Sequence, residues 1–183
     1  MPVDTGFLVY NESTYPNLCG LFDALAVPTE PSDMSFSVSL SGSGGAGAPR
    51  LEWSSGGLAG LLAGGSNALR PGFASMLSDM RRFNAAAPAF LERCAAAAPG
   101  APELALTMAQ FLADGRYGAP FTNWYLVPQM AAVWSGSASE VLAFPARTFI
   151  QFCTNHSLLQ VRQQRPSPRS LFVLQLPPSR ALP

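Results

Sequence analysis

Hydrophobic and polar positions along this chain follow two periods, and each period predicts an element. Phe7-Leu8-Val9-Tyr10 is a short β-branched and aromatic run, which predicts a buried strand with a polar exit at Asn11. Pro16 suits the first turn of a helix whose apolar face is Leu18, Leu21, Phe22 and Leu25, ended by Val27-Pro28. Phe36-Ser37-Val38-Ser39-Leu40 alternates with period two, and Arg50-Leu51-Glu52-Trp53-Ser54 alternates again. The Gly/Ser stretch between them makes a β-hairpin the natural pairing.

Beyond Pro71 the period lengthens. Phe73, Met76, Leu77 and Met80 share one helical face, with Ser75, Ser78, Asp79 and Arg82 off it. Pro88 is expected to break or kink that helix, and Phe90, Leu91 and Cys94 carry the stripe on to Pro99-Gly100. Thr107 with Gln110 forms a capping box that opens a short helix through Phe111 and Leu112, stopped at Gly115. Pro120 starts the next helix, which carries Trp124, Leu126, Val127, Met130, Val133 and Trp134, with a kink expected at Pro128. Ser137 with Glu140 is a second capping box. Pro145 restarts a helix whose stripe is Phe149, Phe152, Cys153 and His156. Neither period runs through Gln163–Pro183, where prolines interrupt the apolar island Leu171-Phe172-Val173-Leu174. The expected architecture is α+β, a small antiparallel sheet with a helical majority over residues 1–162, followed by a disordered Pro/Arg-containing tail at 163–183.

Composition narrows the function. The chain has 183 residues, 48% of them hydrophobic, enough for a real core. Its eleven basic residues are all Arg and balance eleven acids, so no basic face accumulates for nucleic acid. No apolar run approaches the ~18 residues of a membrane span, and the N-terminus has no signal-peptide pattern. Three widely spaced cysteines, Cys19, Cys94 and Cys153, argue against a disulfide framework or a zinc site. They fit a soluble protein of a reducing compartment, the cytoplasm first among these.

Four patterns invite a chemical reading. Gly42-Ser43-Gly44-Gly45-Ala46-Gly47 satisfies G-x-G-x-x-G after a strand, but Pro49 and a second strand follow where a dinucleotide site needs a helix. No acid lies between Glu52 and Asp79 to hold a ribose, so this is a hairpin loop. Asp4-Thr5-Gly6 matches the aspartic-protease signature, yet that chemistry needs two such carboxylates and this chain offers one. His156, the only histidine, lies one helical turn from Cys153, on an apolar stripe that suits a buried histidine better than a catalytic base. Phe121, Trp124, Tyr125, Met130 and Trp134 form a core stripe by default, or else an aromatic wall over a planar or lipid-like ligand.

Three blocks taken in order, residues 3–40, 111–135 and 142–160, resemble the flavin-containing amine oxidoreductase superfamily, in its predicted NAD/FAD-binding branch. The likeness covers roughly residues 3–162. It is carried by Asp4-Thr5-Gly6, Tyr15-Pro16-Asn17-Leu18, Tyr125-Leu126 with Pro128, Trp134-Ser135, Phe144-Pro145-Ala146 and Asn155-His156. The resemblance implies a two-part flavoenzyme in which a Rossmann-like domain holds FAD and an α+β substrate domain covers the flavin. Hydride or electrons pass in such enzymes from an apolar or amine-like substrate to the cofactor. Carried over, Asp4, Thr5 and Gly6 are flavin-proximal, and Tyr15, Trp134 and His156 line or support the substrate side.

Two departures qualify this expectation. The family's FAD fingerprint belongs upstream of Val3, and its second flavin-contacting segment belongs where the Pro/Arg tail stands; Ser157 also replaces the usual glycine after the histidine. The chain is therefore expected to be an internal fragment, or a gene model with its tail read from an intron or shifted frame, and not to hold FAD alone. Transcript sequencing that reproduced both ends would overturn this. The alternative is a non-catalytic helical module that binds an apolar ligand or a protein partner.

Overall fold

A computed structural model describes residues 9–31, 35–40, 51–62, 65–156, 158 and 170–173. Helices are the majority of these, with two small antiparallel sheets, so the class is α+β. The chain divides into two compact units, residues 1–34 with 164–183 and residues 35–163.

The first unit holds β1 (Val9–Asn11), α1 (Pro16–Ala24) and β2 (Thr29–Pro31). Its sheet has the order β1-β5-β2, with β5 (Ser170–Val173) antiparallel to both neighbours. Tyr10 is paired with Leu171, and Pro31 is paired with the same residue from the other side. No strand was expected between 163 and 183, nor at Thr29–Pro31. Asn11 organises the turn that follows, its side-chain oxygen accepting from the Thr14 amide at 2.9 Å. Helix α1 starts at Pro16 as expected, but its apolar stripe is not buried within this unit. Leu21 is 51% exposed and Leu25 63%; only Phe22 meets an aromatic partner, edge to face on Tyr10 at 5.3 Å.

The second unit opens with β3 (Ser37–Leu40) and β4 (Leu51–Ser54), paired antiparallel with Val38 opposite Trp53 and Leu40 opposite Leu51. Period-two alternation sends Val38, Leu51 and Trp53 inward, while Ser39 donates to the Glu52 carboxylate at 3.0 Å on the outer face. The glycine loop at 41–50 lies outside the described residues. After β4 come a single-turn helix, α2 (Leu58–Leu61), and a 3-10 turn at Ser66–Leu69, neither foreseen. Asn67 explains the second: its buried amide donates to the carbonyls of Glu52 at 2.6 Å and Leu61 at 3.2 Å, tying the turn to β4.

The core is built on α3 (Phe73–Ala96), 24 residues long. Phe73, Met76, Met80, Phe83, Ala87, Phe90 and Cys94 recur at alternating spacings of three and four and are all buried. The helix runs unbroken through Pro88, which is exposed. An interior proline costs roughly 3 kcal/mol. Each fully buried large side chain of the stripe returns about 1.5–3 kcal/mol, so packing on both sides of Pro88 outweighs the lost bond. Asp79, expected off the buried face, is itself buried. Its carboxylate accepts from the Gly118 amide at 2.8 Å and pairs with Arg82, whose guanidinium also donates to the Gly115 carbonyl.

Helix α4 (Met108–Asp114) begins with the Thr107/Gln110 capping box, and α7 (Ala138–Ala143) with the Ser137/Glu140 box, as expected. A helical run extends from Ala119 to Trp134, made of α5 (Ala119–Phe121), a π-turn (Thr122–Leu126) and α6 (Val127–Trp134). Proline chemistry accounts for a vacancy there. Pro128 has no N–H for the carbonyl of Trp124, and the indole of Trp53 donates to that carbonyl at 3.0 Å instead. Helix α8 (Ala146–Asn155) follows Pro145 and buries Phe149, Ile150 and Cys153.

Candidate functional site

Trp134 ends the 119–134 run because Ser135 takes a left-handed conformation, φ 51° and ψ 33°, which reverses the chain. Gly136 follows, and Ser137 caps α7. This tight turn lays α7 against α6 and leaves a pocket of about 280 Å³ lined by Met130, Trp134, Glu140, Val141 and Phe144, with Ser135 and Gly136 of the turn itself. The indole of Trp134 sits at the centre of an aromatic group. Its ring lies 5.0 Å from Phe144, 5.6 Å from Phe149 and 4.9 Å from Phe152.

His156 joins the same group through Phe152, stacked on it at 4.1 Å. Its Nδ1 donates to the Phe152 carbonyl at 3.0 Å, an interaction that orients the ring against α8. Cys153 is 1% exposed, and burial pushes its thiol from 9.0 up to about 12. Cys153 is closed off from solvent and the His156 Nδ1 is given to the Phe152 carbonyl, so the arrangement does not present a Cys–His pair to a substrate.

Glu140 supplies the pocket's charge. Its Oε2 accepts from the Ser137 hydroxyl at 2.6 Å and the Ser137 amide at 2.7 Å, and these bonds, the hydroxyl's first, hold its carboxyl below the ordinary glutamate range. The group is exposed and anionic at neutral pH. Sequence reasoning identified Glu140 as a capping residue only; nothing in the sequence pattern points it toward Trp134.

The other expected site residues fall elsewhere. Asp4, Thr5 and Gly6 lie outside the described residues. Tyr15 belongs to the first unit, half-buried as the residue before α1, with its carbonyl accepting from the Cys19 amide at 3.0 Å. The structure therefore groups Trp134 with His156, and Tyr15 is not part of that group's unit. Trp124 and Tyr125 take the core alternative: Tyr125 is buried and stacks on Trp53 and on Phe121, both at 5.5 Å.

A second cavity, about 430 Å³, lies in the first unit between β1 and α1, lined by Tyr10, Glu12, Cys19, Phe22, Asp23 and Thr29, with Val27. Among the described residues no cluster of three or more His, Cys, Asp or Glu is placed to hold a metal, and no helix is long and apolar enough to cross a membrane. All three cysteines are free. Compared with protein-family models, curated proteins and solved structures, the chain matches none.

Proposed function

We propose that this chain is the substrate-domain portion of an FAD-dependent, amine-oxidase-like oxidoreductase, passing hydride or electrons from an apolar or amine-like substrate to flavin. The observation that carries the reading is the ordered set of residue blocks across 3–162, with Asp4, Thr5 and Gly6 on the flavin side and Tyr15, Trp134 and His156 on the substrate side. The geometry lends support at one point: Trp134 lines an open, largely apolar pocket and His156 stacks on Phe152 behind it.

The described residues do not fit FAD by themselves. Their glycine-rich strand-to-helix turn, Ser55-Gly56-Gly57 between β4 and α2, opens a helix of four residues. So short a helix cannot present the row of amides and the dipole that hold a pyrophosphate. On this reading the cofactor is held by other residues, and what the described part of the chain does is bind and enclose the substrate. A full-length transcript is expected to encode, in frame and upstream of Met1, a strand, a G-x-G-x-x-G turn and a helix, and its protein to purify yellow. A transcript that starts at Met1, giving a folded protein that stays colourless with added FAD, overturns the reading.

One observation favours a second reading, a non-catalytic helical module for an apolar ligand. The pocket's lining holds no histidine, cysteine or lysine, and its one carboxylate, Glu140, is engaged by Ser137 as the cap of α7. A colourless protein that nonetheless binds a ligand at Trp134 supports that reading.

A further inference from the structure

The sheet of the first unit is completed from far along the chain. Strands β1 and β2 stand one strand apart, and β5 lies between them, antiparallel to both. Leu171 and Phe172 pair on both sides at once, Leu171 with Tyr10 and Pro31, Phe172 with Val9 and Glu30. Ser170 pairs only with Asn11, and Val173 only with Thr29. Among the described residues β1 and β2 pair with no other strand. Without its middle strand, this sheet would be a slot with a row of backbone N–H and C=O groups on each side.

The ties of β5 to that slot are few. Ordering its four residues costs about as much free energy as its ladder hydrogen bonds return net of water. Between Pro31 and Ser170 the chain runs through the whole second unit, so a loop-closure cost is added that a hairpin partner is spared. Prolines flank β5 on both sides, at Pro166 and Pro168 and at Pro177 and Pro178, so the ladder cannot lengthen far in either direction. A strand held in this way opens locally without unfolding the protein. Main-chain bonds also recognise an extended backbone before they recognise a sequence.

We propose that the slot between β1 and β2 is a strand-acceptor site, in which β5 is an exchangeable strap and a separate extended peptide takes its place. The partner it fits is a proline-free segment of about four residues that pairs antiparallel on both flanks. The residue opposite Tyr10 shares its face of the sheet, and Tyr10 is buried, so an apolar residue is favoured there. A strand acceptor of this kind is independent of flavin chemistry and of the Trp134 pocket, so either proposal can fail alone.

The test is fluorescence anisotropy of the full chain with a labelled, end-blocked peptide spanning Arg169–Leu174. The parent protein is expected to bind it weakly, because the tethered strap competes at an effective concentration on the order of mM. Phe172→Pro disables the strap and is expected to bind the peptide roughly 10-fold more tightly, since the slot is then free. The peptide with the same proline is expected to bind neither protein. Equal binding to parent and variant, or binding to neither, overturns the proposal. Should Phe172→Pro fail to fold, hydrogen exchange of the parent decides. The amides of Tyr10 and Asn11 are expected to exchange faster than those of the buried stretch of α3 and to slow when the peptide is in excess; exchange only at the rate of global unfolding overturns strap opening. A concentration-dependent dimer of the parent that is lost in Phe172→Pro places a second copy's strap in the slot and overturns the assignment to a separate peptide.

Discussion

The two aromatic groups of the second unit use similar residues in opposite ways. Around Tyr125, the rings of Trp53, Phe121 and Phe83 form a chain of contacts 5.5 Å apart, and all four residues are buried. Around Trp134, the rings of Phe144 and Phe152 are just as close, but these three are only half-buried and two of them line a pocket. Both groups draw on the same 119–134 run. What separates them is not composition but closure: the first is sealed by the hairpin and α3, the second is left open by the turn at Ser135. An aromatic stripe thus becomes core or pocket wall according to what the chain does at its end.

This contrast can be broken by mutation. The largest effect is expected from Phe121→Ala, which removes a fully buried ring and should lower stability by about 3–5 kcal/mol in urea denaturation. Trp134→Leu should cost less, about 1–2 kcal/mol, because its ring already meets solvent; equal losses would erase the distinction. Next comes Trp53→Phe. It deletes the donor that serves the Trp124 carbonyl, and about 1–3 kcal/mol of destabilisation is expected for that unsatisfied group, read from the same unfolding curves.

Thiol labelling sharpens the comparison without mutation. The half-buried Cys19 should react with a thiol reagent in the native protein, and Cys153, sealed beneath the closed group, only on unfolding. Its raised value also fixes a sign: the stabilisation of the folded state is full below the unfolded value of 9.0 and is lost as pH climbs toward about 12. Glu140 gives the smallest effect and the opposite sign. Its carboxyl is depressed in the folded state, so its contribution is complete above the ordinary glutamate range and fades as pH falls through the lowered value. Thermal melts of the Glu140→Gln protein should show a flatter acid limb than the parent.

Elements set by neighbouring residues were legible in the sequence. Both capping boxes, the hairpin around the glycine loop and the start of α1 at Pro16 depend on chemistry within a few positions. Elements set by distant partners were not. Ser170–Val173 is a four-residue apolar island between prolines, and only its pairing with Val9–Asn11 and Thr29–Pro31 makes it a strand. The periodic faces were also only half legible. A period identifies a face but not its cover, which is why the same reasoning succeeded on α3 and left Leu21 and Leu25 of α1 exposed. At the candidate site, Trp134 and His156 could be singled out, but the pocket needs the reversal at Ser135 and the side chain of Glu140, whose capping role hid any other. Asp79 was missed for a similar reason: its acceptor duty toward Gly118 spans 39 positions.

The π-turn at Thr122–Leu126 sets the aim of everything after it. A π-turn accommodates one residue more than the α-helix it interrupts, and each helical residue advances the face by about 100°. Deleting a single residue from that turn would restore a plain α-helix and swing Trp134 roughly a quarter of the way around the axis, away from Phe144. The orientation of the pocket's wall is therefore written ten positions before the wall itself, as a count of residues and not as a choice of side chain.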